Sequence, residues 1–312
     1  MHLSIFDTSV STENLGDYII MDSVNKELRE VFPNYLFVSN ATHERIGLRT
    51  YSMVRHSSYS ILGGSNILTN NIVLDRQWKI TIQDVFFINE LVLMGVGWRT
   101  YQPKVDYLTR LFYHRLLSKN VIHSVRDSYT EEKLNSLGIS NVINTGCPTM
   151  WKLTKEHCTL IPDSKCSKVV FTLTDYRKDE DYDRKLLSIL RNEYSSLFFW
   201  PQGAQDLDYL KEIDSLQGIT ILQPNLSCFD ELLLQQIDYI GTRLHAGIRA
   251  LQFKSRTIII GVDNRAVEKS RDFNIPMISR LDLHLLTDKI GSSWHTEITI
   301  PEENIKLWKE QF

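Results

Sequence analysis

Short apolar runs alternate with amphipathic helical patterns along all 312 residues, and this alternation limits the fold more than any other feature. In the first half the expected strands are Leu3–Phe6, Tyr35–Val38, Tyr59–Leu62, Glu90–Val96, Asn120–Val125 and Asn141–Asn144. Helical patterns fall between several of them, at Asp17–Val31, Val105–Leu117 and Thr130–Leu137. The second half repeats the theme. Strands are expected at Lys168–Leu173, Leu197–Trp200, Ile219–Leu222, Tyr239–Ile240 and Thr257–Gly261. Helices are expected at Asp181–Tyr194, Asp206–Leu216, Phe229–Gln236 and Ala266–Phe273. Such alternation implies parallel sheets covered by helices on both faces. The polar stretch Thr154–Ser167 loses periodicity and reads as a linker. The expected fold is therefore α/β, with two Rossmann-like doubly wound domains, 1–160 and 161–312, facing a cleft. The last helix, Glu302–Gln311, is free to pack on either domain.

Composition narrows the function classes. The chain is 42% hydrophobic and 23% charged, with a net charge of -3, so no basic field for nucleic acid exists overall. No apolar run reaches the roughly 18 residues of a spanning helix. The longest candidate, Val85–Trp98, is interrupted by Asn89 and Glu90. The N-terminus lacks the basic and apolar regions of a signal peptide. The four cysteines form no C-x-x-C pair, so zinc spacing is absent and reduced thiols are the default. The expectation is a cytoplasmic protein.

Ligands of open α/β sheets bind beyond the carboxyl ends of strands, so the loops after strands carry the search for chemistry. The most informative is Gly241-Thr242-Arg243-Leu244-His245-Ala246-Gly247, between the strand at Asp238–Ile240 and a helix expected from Ile248. A helix start offers unpaired N–H groups and the positive end of a dipole. Arg243 adds a fork of donors suited to carboxylate or phosphate. His245 adds a proton-transfer group. The plainer alternative is an arginine paired with a surface carboxylate and a histidine that merely caps the helix.

Other loops contribute weaker candidates. Asn14, Gly16 and Asp17 open the first helix, where Asp17 serves either as an ordinary N-cap or as a group reaching substrate. Gly63-Gly64-Ser65-Asn66, with Gly95 and Gly97, permit close ligand approach or simple turns. No full G-x-G-x-x-G occurs, so dinucleotide binding is poorly supported. Arg126 ends a strand as a second anion ligand, or pairs locally with Asp127. Asp179-Glu180-Asp181 reads as the charged start of a helix rather than a metal site. Arg265 or Lys269 could meet an anion beyond Gly261. His114 and His123 are read as packed or surface residues. Tyr51, Trp78, Trp98, Tyr101 and Tyr107 offer sugar-stacking faces but are more commonly core or rim.

In order along the chain, Asn14-Leu15-Gly16-Asp17, Gly63-Gly64, Val125-Arg126-Asp127 with Leu137-Gly138, Gly241-Thr242-Arg243-Leu244-His245, and Ile259-Ile260-Gly261-Val262-Asp263 with Lys269 and Ile275-Pro276 together resemble the polysaccharide pyruvyl transferase family. The match spans about residues 12 to 277. It departs at Asp263-Asn264-Arg265, where the family more often has an aromatic residue. The resemblance implies a GT-B-like fold, phosphoenolpyruvate as donor and a sugar as acceptor, lipid-linked or nucleotide-linked. The product would be a pyruvate ketal, in capsule, exopolysaccharide or cell-wall synthesis.

By this resemblance Arg243, Leu244 and His245 contact the donor and Arg126 is its second arginine across the cleft; the chemistry of ketal formation adds His245 as acid or relay and Asp17 as acceptor of a hydroxyl proton. Asn14, Gly16, Gly64 and Lys269 complete the expected substrate-binding set. No cofactor and no metal is required, no nucleic acid is a partner, and peripheral membrane association and oligomeric state stay open. Two rivals share the scaffold: a nucleotide-sugar glycosyltransferase, with Glu268 on a ribose, and a non-catalytic glycan-binding protein.

Overall fold

A computed structural model describes residues 1–75, 77–88, 90–99, 104–262, 270 and 272–312. The chain divides into two compact units. Unit 1 comprises Met1–Thr12, Ile20–Trp151 and Pro301–Phe312, and unit 2 comprises Glu13–Ile19 and Lys152–Ile300. The final helix thus counts with the first unit, and the division passes through the first helix.

Unit 1 is built on β1 (His2–Asp7), β2 (Leu36–Ala41), β3 (Tyr59–Gly63) and β5 (Leu91–Met94), in the order β2-β1-β3-β5, with every pairing parallel. Between β3 and β5 lies β4 (Asn66–Leu68), which pairs with β6 (Gly97–Trp98). Gly95 N donates to Ser124 O at 2.9 Å, and a Val96–Val125 bridge links the sheet to β7 (His123–Val125) and β8 (Val142–Asn144). Strands β1, β3 and β5 are almost wholly buried, as strands covered on both faces are, whereas the edge strand β2 buries only Asn40. Helices α1 (Leu15–Val31), α2 (Leu48–His56), α3 (Tyr107–Leu116) and α4 (Ser128–Ser136) fall between them. Trp78 and Trp98, each 3% exposed, belong to the core of this unit rather than to a sugar platform.

A short helix α5 (Lys155–Cys158), capped by Thr154, occupies the stretch read as linker. Unit 2 then forms a six-stranded parallel sheet from β9 (Lys168–Thr172), β10 (Ser196–Phe199), β11 (Ile219–Ile221), β12 (Asp238–Gly241), β13 (Thr257–Gly261) and β14 (Met277–Ser279). Their spatial order is β11-β10-β9-β12-β13-β14. This is the 3-2-1-4-5-6 order of a dinucleotide-type fold, which reverses direction between β9 and β12. Helices α6 (Glu180–Glu193), α7 (Asp206–Ile213), α8 (Leu226–Leu233), α9 (Leu244–Gln252) and α10 (Leu286–Gly291) complete the unit, and α11 (Glu302–Glu310) ends the chain. Asp179 caps α6 through Tyr182 N at 3.5 Å, so the acidic triplet there serves the helix start. The expected α/β class with parallel sheets in both halves is the fold observed.

Candidate active site

Crevices of open parallel sheets form where strand order reverses, and in unit 2 that point lies between β9 and β12. The two strand ends are stitched by hydroxyls. Thr242 N donates to Thr172 O at 3.0 Å, and Thr174 and Thr242 share a hydrogen bond at 2.8 Å. The Tyr239 hydroxyl lies 2.6 Å from Thr172 Oγ1 and donates to Arg243 O at 2.8 Å. Arg243 is extended (φ -91, ψ 107) and 3% exposed. Its guanidinium is held from several sides. Nε donates to Asp206 Oδ2 at 3.0 Å and to Leu173 O at 3.1 Å. Nη2 donates to Asp206 Oδ1, and to Asp175 Oδ1 at 2.8 Å. The Tyr176 ring lies 4.9 Å from Cζ.

Asp206 is the hub of this cluster. It is fully buried and also accepts from the backbone N–H of Gln202 (3.1 Å), Gly203 (2.7 Å) and Asp175 (3.2 Å). Burial pushes the Asp206 carboxyl up, and Arg243 pulls the other way. For Arg243, burial opposes the charge, but Asp206, then Tyr176 and Asp175, outweigh it and hold the guanidinium above its ordinary range. Arg243 is thus paired with carboxylates, but its main partner, Asp206, is fully buried rather than at the surface.

Helix α9 begins directly after Arg243, at Leu244, four residues before the helix start expected at Ile248. No side chain caps it, so the sequence carries no start signal. Leu244 and His245 are both half-buried and occupy its first turn. The first N–H groups of a helix have no intrahelical partners and bear positive partial charge. His245 thus stands where an anion would be favoured.

The start of α1 belongs to the same unit. Asn14, not Asp17, caps it: Asn14 Oδ1 accepts from Gly16 N at 3.0 Å and from Gln202 Nε2 at 2.8 Å. Leu15 N donates to Gln202 O at 2.8 Å. A Cβ at Gly16 would lie 2.8 Å from Gln202 Nε2, so the glycine makes room for this clamp. Asp17 is 9% exposed and lies a turn into the helix, its N–H on Asn14 O at 3.1 Å. Gln202 Oε1 is buried without a partner among the described residues.

Unit 1 holds Arg126, just beyond β7. It too is 3% exposed. Its Nε donates to Asp127 Oδ2 at 3.1 Å, and Asp127 Oδ1 caps α4 through Thr130 N at 2.8 Å. Its two terminal nitrogens have no partner among the described residues. Gly97 lies against the side chain, where a Cβ would collide with Nε and with Asn66 Oδ1. That Asn66 oxygen is buried and has no hydrogen-bond partner among the described residues. Gly64, by contrast, answers to the backbone. It has φ +61, and a Cβ there would strike Ile20. Lys269, Arg265, Glu268 and Tyr101 lie outside the described residues.

Sequence reasoning did not single out Asp175, Gln202, Gly203 or Asp206. Asp206 was visible only as the first residue of an expected helix. The signal available was the need of any buried arginine for a carboxylate.

The fold resembles that of the UDP-GlcNAc 2-epimerase of Methanocaldococcus jannaschii. The structure with UDP-GlcNAc and UDP has a TM-score of 0.59 at 12% identity, covering 100% of this chain and 98% of that one. A second structure of that epimerase gives 0.54 at 12% identity, again over 100% and 98%. The S. aureus MnaA–UDP structure has a TM-score of 0.48 at 11% identity, over 99% and 90%. The fold class is thus the GT-B-like one of two Rossmann-type units. No curated protein sequence matches the chain. The model of the polysaccharide pyruvyl transferase family matches residues 14–264, and the chain belongs to that family. It is accordingly a transferase, and the family implies a sugar or polysaccharide acceptor. Among the described residues no helix is long and apolar enough to cross a membrane.

Proposed function

We propose that this transferase moves the enolpyruvyl group of phosphoenolpyruvate onto two hydroxyls of a glycan sugar. The product is a pyruvate ketal, and phosphate leaves. The observation that carries this reading is Arg126, a buried cation with one nitrogen anchored and its fork otherwise without partners, in a chain whose family transfers pyruvyl groups. A desolvated guanidinium attracts a compact anion far more strongly than an exposed one. Phosphoenolpyruvate presents a carboxylate and a phosphate.

The atoms balance without a cofactor. The methylene carbon of the donor gains a proton and becomes methyl. One sugar oxygen bonds to C2, and the second displaces phosphate from the same carbon. Of the two hydroxyl protons, one matches the proton taken up by carbon and the other leaves with phosphate. In this scheme His245 supplies or relays the acid proton. The N–H groups at the start of α9 stabilise negative charge. Arg243, fixed by Asp206 and Asp175, orders that turn, and Leu244 sets where its backbone begins to coil. Asp17 accepts a proton from the acceptor. The reaction belongs in the cytoplasm, in surface-polysaccharide synthesis.

The test is phosphate release from phosphoenolpyruvate with a panel of nucleotide- and lipid-linked sugars. Arg126→Ala should lower kcat/KM by about 2–5 kcal/mol of lost interaction, roughly thirtyfold to several thousandfold, without changing thermal stability by a comparable amount. His245→Ala should abolish most turnover. Retention of near-wild-type release by both variants sinks the assignment. Calorimetric binding of nucleotide sugars with no binding of phosphoenolpyruvate would replace it with a glycosyltransferase.

A further inference from the structure

Exposed apolar surface is concentrated in one region of unit 1. Among the described residues, eight of the nineteen exposed large hydrophobic side chains lie between Val73 and Leu111, one eighth of the chain. Contacts within the unit hold several of these segments together. Ile72 N donates to Thr109 Oγ1 at 2.9 Å, and Asp106 N to Asn70 O at 3.1 Å, so the Val73–Leu74 turn is tied to the start of α3. The turn at Asp84–Phe86 packs on the same helix. On α3 itself Tyr107, Leu108 and Leu111 are 71%, 56% and 47% exposed, at the i, i+1, i+4 positions of one face. Phe86 is 68% exposed, and with Phe87 and Leu48 it continues the surface into an open cavity of about 1070 Å³.

Charge distinguishes this surface from an ordinary sticky patch. The stretch from Val73 to Lys119 holds seven Lys and Arg against four Asp and Glu, in a chain whose net charge is -3. All four acids are engaged internally. Asp75 pairs with Arg99, Asp84 accepts from the Tyr51 hydroxyl, Glu90 accepts from Ser118, and Asp106 caps α3 through Thr109 N at 2.9 Å. Lys104, Arg110, Arg115 and Lys119 are exposed and have no carboxylate partner among the described residues. A helix face with large apolar side chains flanked by unpaired cations suits the headgroup layer of an anionic membrane. A second copy of the chain suits it poorly, because a two-fold pairing sets like charges against each other.

We infer that this face of unit 1, α3 with the Val73–Phe87 segment, docks peripherally on an anionic lipid surface. It rests on the surface's own geometry. Joined to the reading under "Proposed function", it makes the acceptor a lipid-linked glycan presented at that surface.

The experiment is sedimentation of the full chain with vesicles of phosphatidylglycerol mixed into phosphatidylcholine, and with phosphatidylcholine alone. Binding should require phosphatidylglycerol and weaken with salt. Leu108→Asp with Leu111→Asp, and separately Arg110→Glu with Arg115→Glu, should each lower partitioning by about tenfold or more. Both double variants should keep the wild-type melting temperature and full phosphate release with a water-soluble acceptor. The charge-reversed pair keeps the test decisive if the aspartate pair folds poorly. Wild-type protein that ignores anionic vesicles, variants that bind as wild type, or a dimer in analytical ultracentrifugation that Leu108→Asp dissociates would each overturn the inference. No donor enters the vesicle assay, so its failure is separate from failure of the phosphoenolpyruvate reading.

Discussion

Arg243 of unit 2 and Arg126 of unit 1 are both 3% exposed, and each follows the carboxyl end of a parallel strand. They are buried in different states. Arg243 gives Nε and Nη2 to two carboxylates and a carbonyl. Among the described residues Arg126 gives only Nε, to the aspartate beside it. A guanidinium enclosed by carboxylates has met most of its desolvation cost within the protein. One with an unpartnered fork still gains from an incoming anion. Burial and strand-end position are the same for both arginines; the inventory of donors is where they differ.

The largest test of this contrast is the removal of each carboxylate. Asp206→Ala leaves Arg243 buried beside Asp175 alone and orphans three backbone N–H groups as well. It should cost about 3–5 kcal/mol in urea unfolding. Asp127→Ala removes a helix cap and leaves Arg126 with no carboxylate among the described residues, so it too should cost about 3–5 kcal/mol, but here phosphoenolpyruvate should restore part of the loss. Equal restoration of the two variants by phosphoenolpyruvate would erase the distinction between the arginines.

Acid should separate the two units next. His123, at the start of the strand that leads to Arg126, is fully buried. Its Nδ1 accepts from Leu93 N at 3.2 Å, and Nε2 meets Ser118 O at 2.9 Å. Burial chiefly lowers its pKa from 6.5 to about 4. The folded state therefore resists a proton that the unfolded chain accepts. The associated stability, about 3 kcal/mol, is fully present above pH 6.5 and is lost as pH falls through about 4. Unit 1 should unfold before unit 2 on acidification, and His123→Asn should flatten its slope with pH. Simultaneous loss of both units, unchanged by that substitution, would contradict the separation.

How much of this was legible in the sequence depended on whether a signal was local. The strand expected at Lys168–Leu173 and the one observed at Lys168–Thr172 agree because a fully buried strand is a continuous apolar run. Helix α2 was not anticipated, because Leu48 is 85% exposed and Val54 is its only buried residue. With Val54 buried and Tyr51 only partly so, its apolar face is too narrow to show a clear period. The strands β4 and β6 have three and two residues, too few for alternation to appear. Asp17 resembled a cap, but Asn14 takes that place three residues earlier. The Arg243-Leu244-His245 turn stood out because its residue types are unusual together. Its partners Asp206 and Asp175 lie 37 and 68 residues away, and no pattern along the chain links such pairs.

The smallest and most discriminating test adds one methyl group beside each arginine. Cβ at Gly203 would collide with Arg243 Nη2, and Cβ at Gly97 with Arg126 Nε. Overpacking of this kind costs about 1–3 kcal/mol when neighbours cannot move. Arg243 cannot move without leaving Asp206, so Gly203→Ala should appear mainly as lost stability. The Gly97 clash falls on Nε and Cδ, so Arg126 relieves it by shifting its whole fork, whose outer nitrogens have no partner among the described residues to hold them. Gly97→Ala should therefore appear mainly as a raised KM for phosphoenolpyruvate, with a smaller loss of stability. Thermal melts and steady-state phosphate release on the two variants read both quantities. The reverse pattern, with Gly203→Ala raising KM in a fully stable protein and Gly97→Ala merely destabilising, would exchange the roles of the two arginines and make Arg243 the donor ligand.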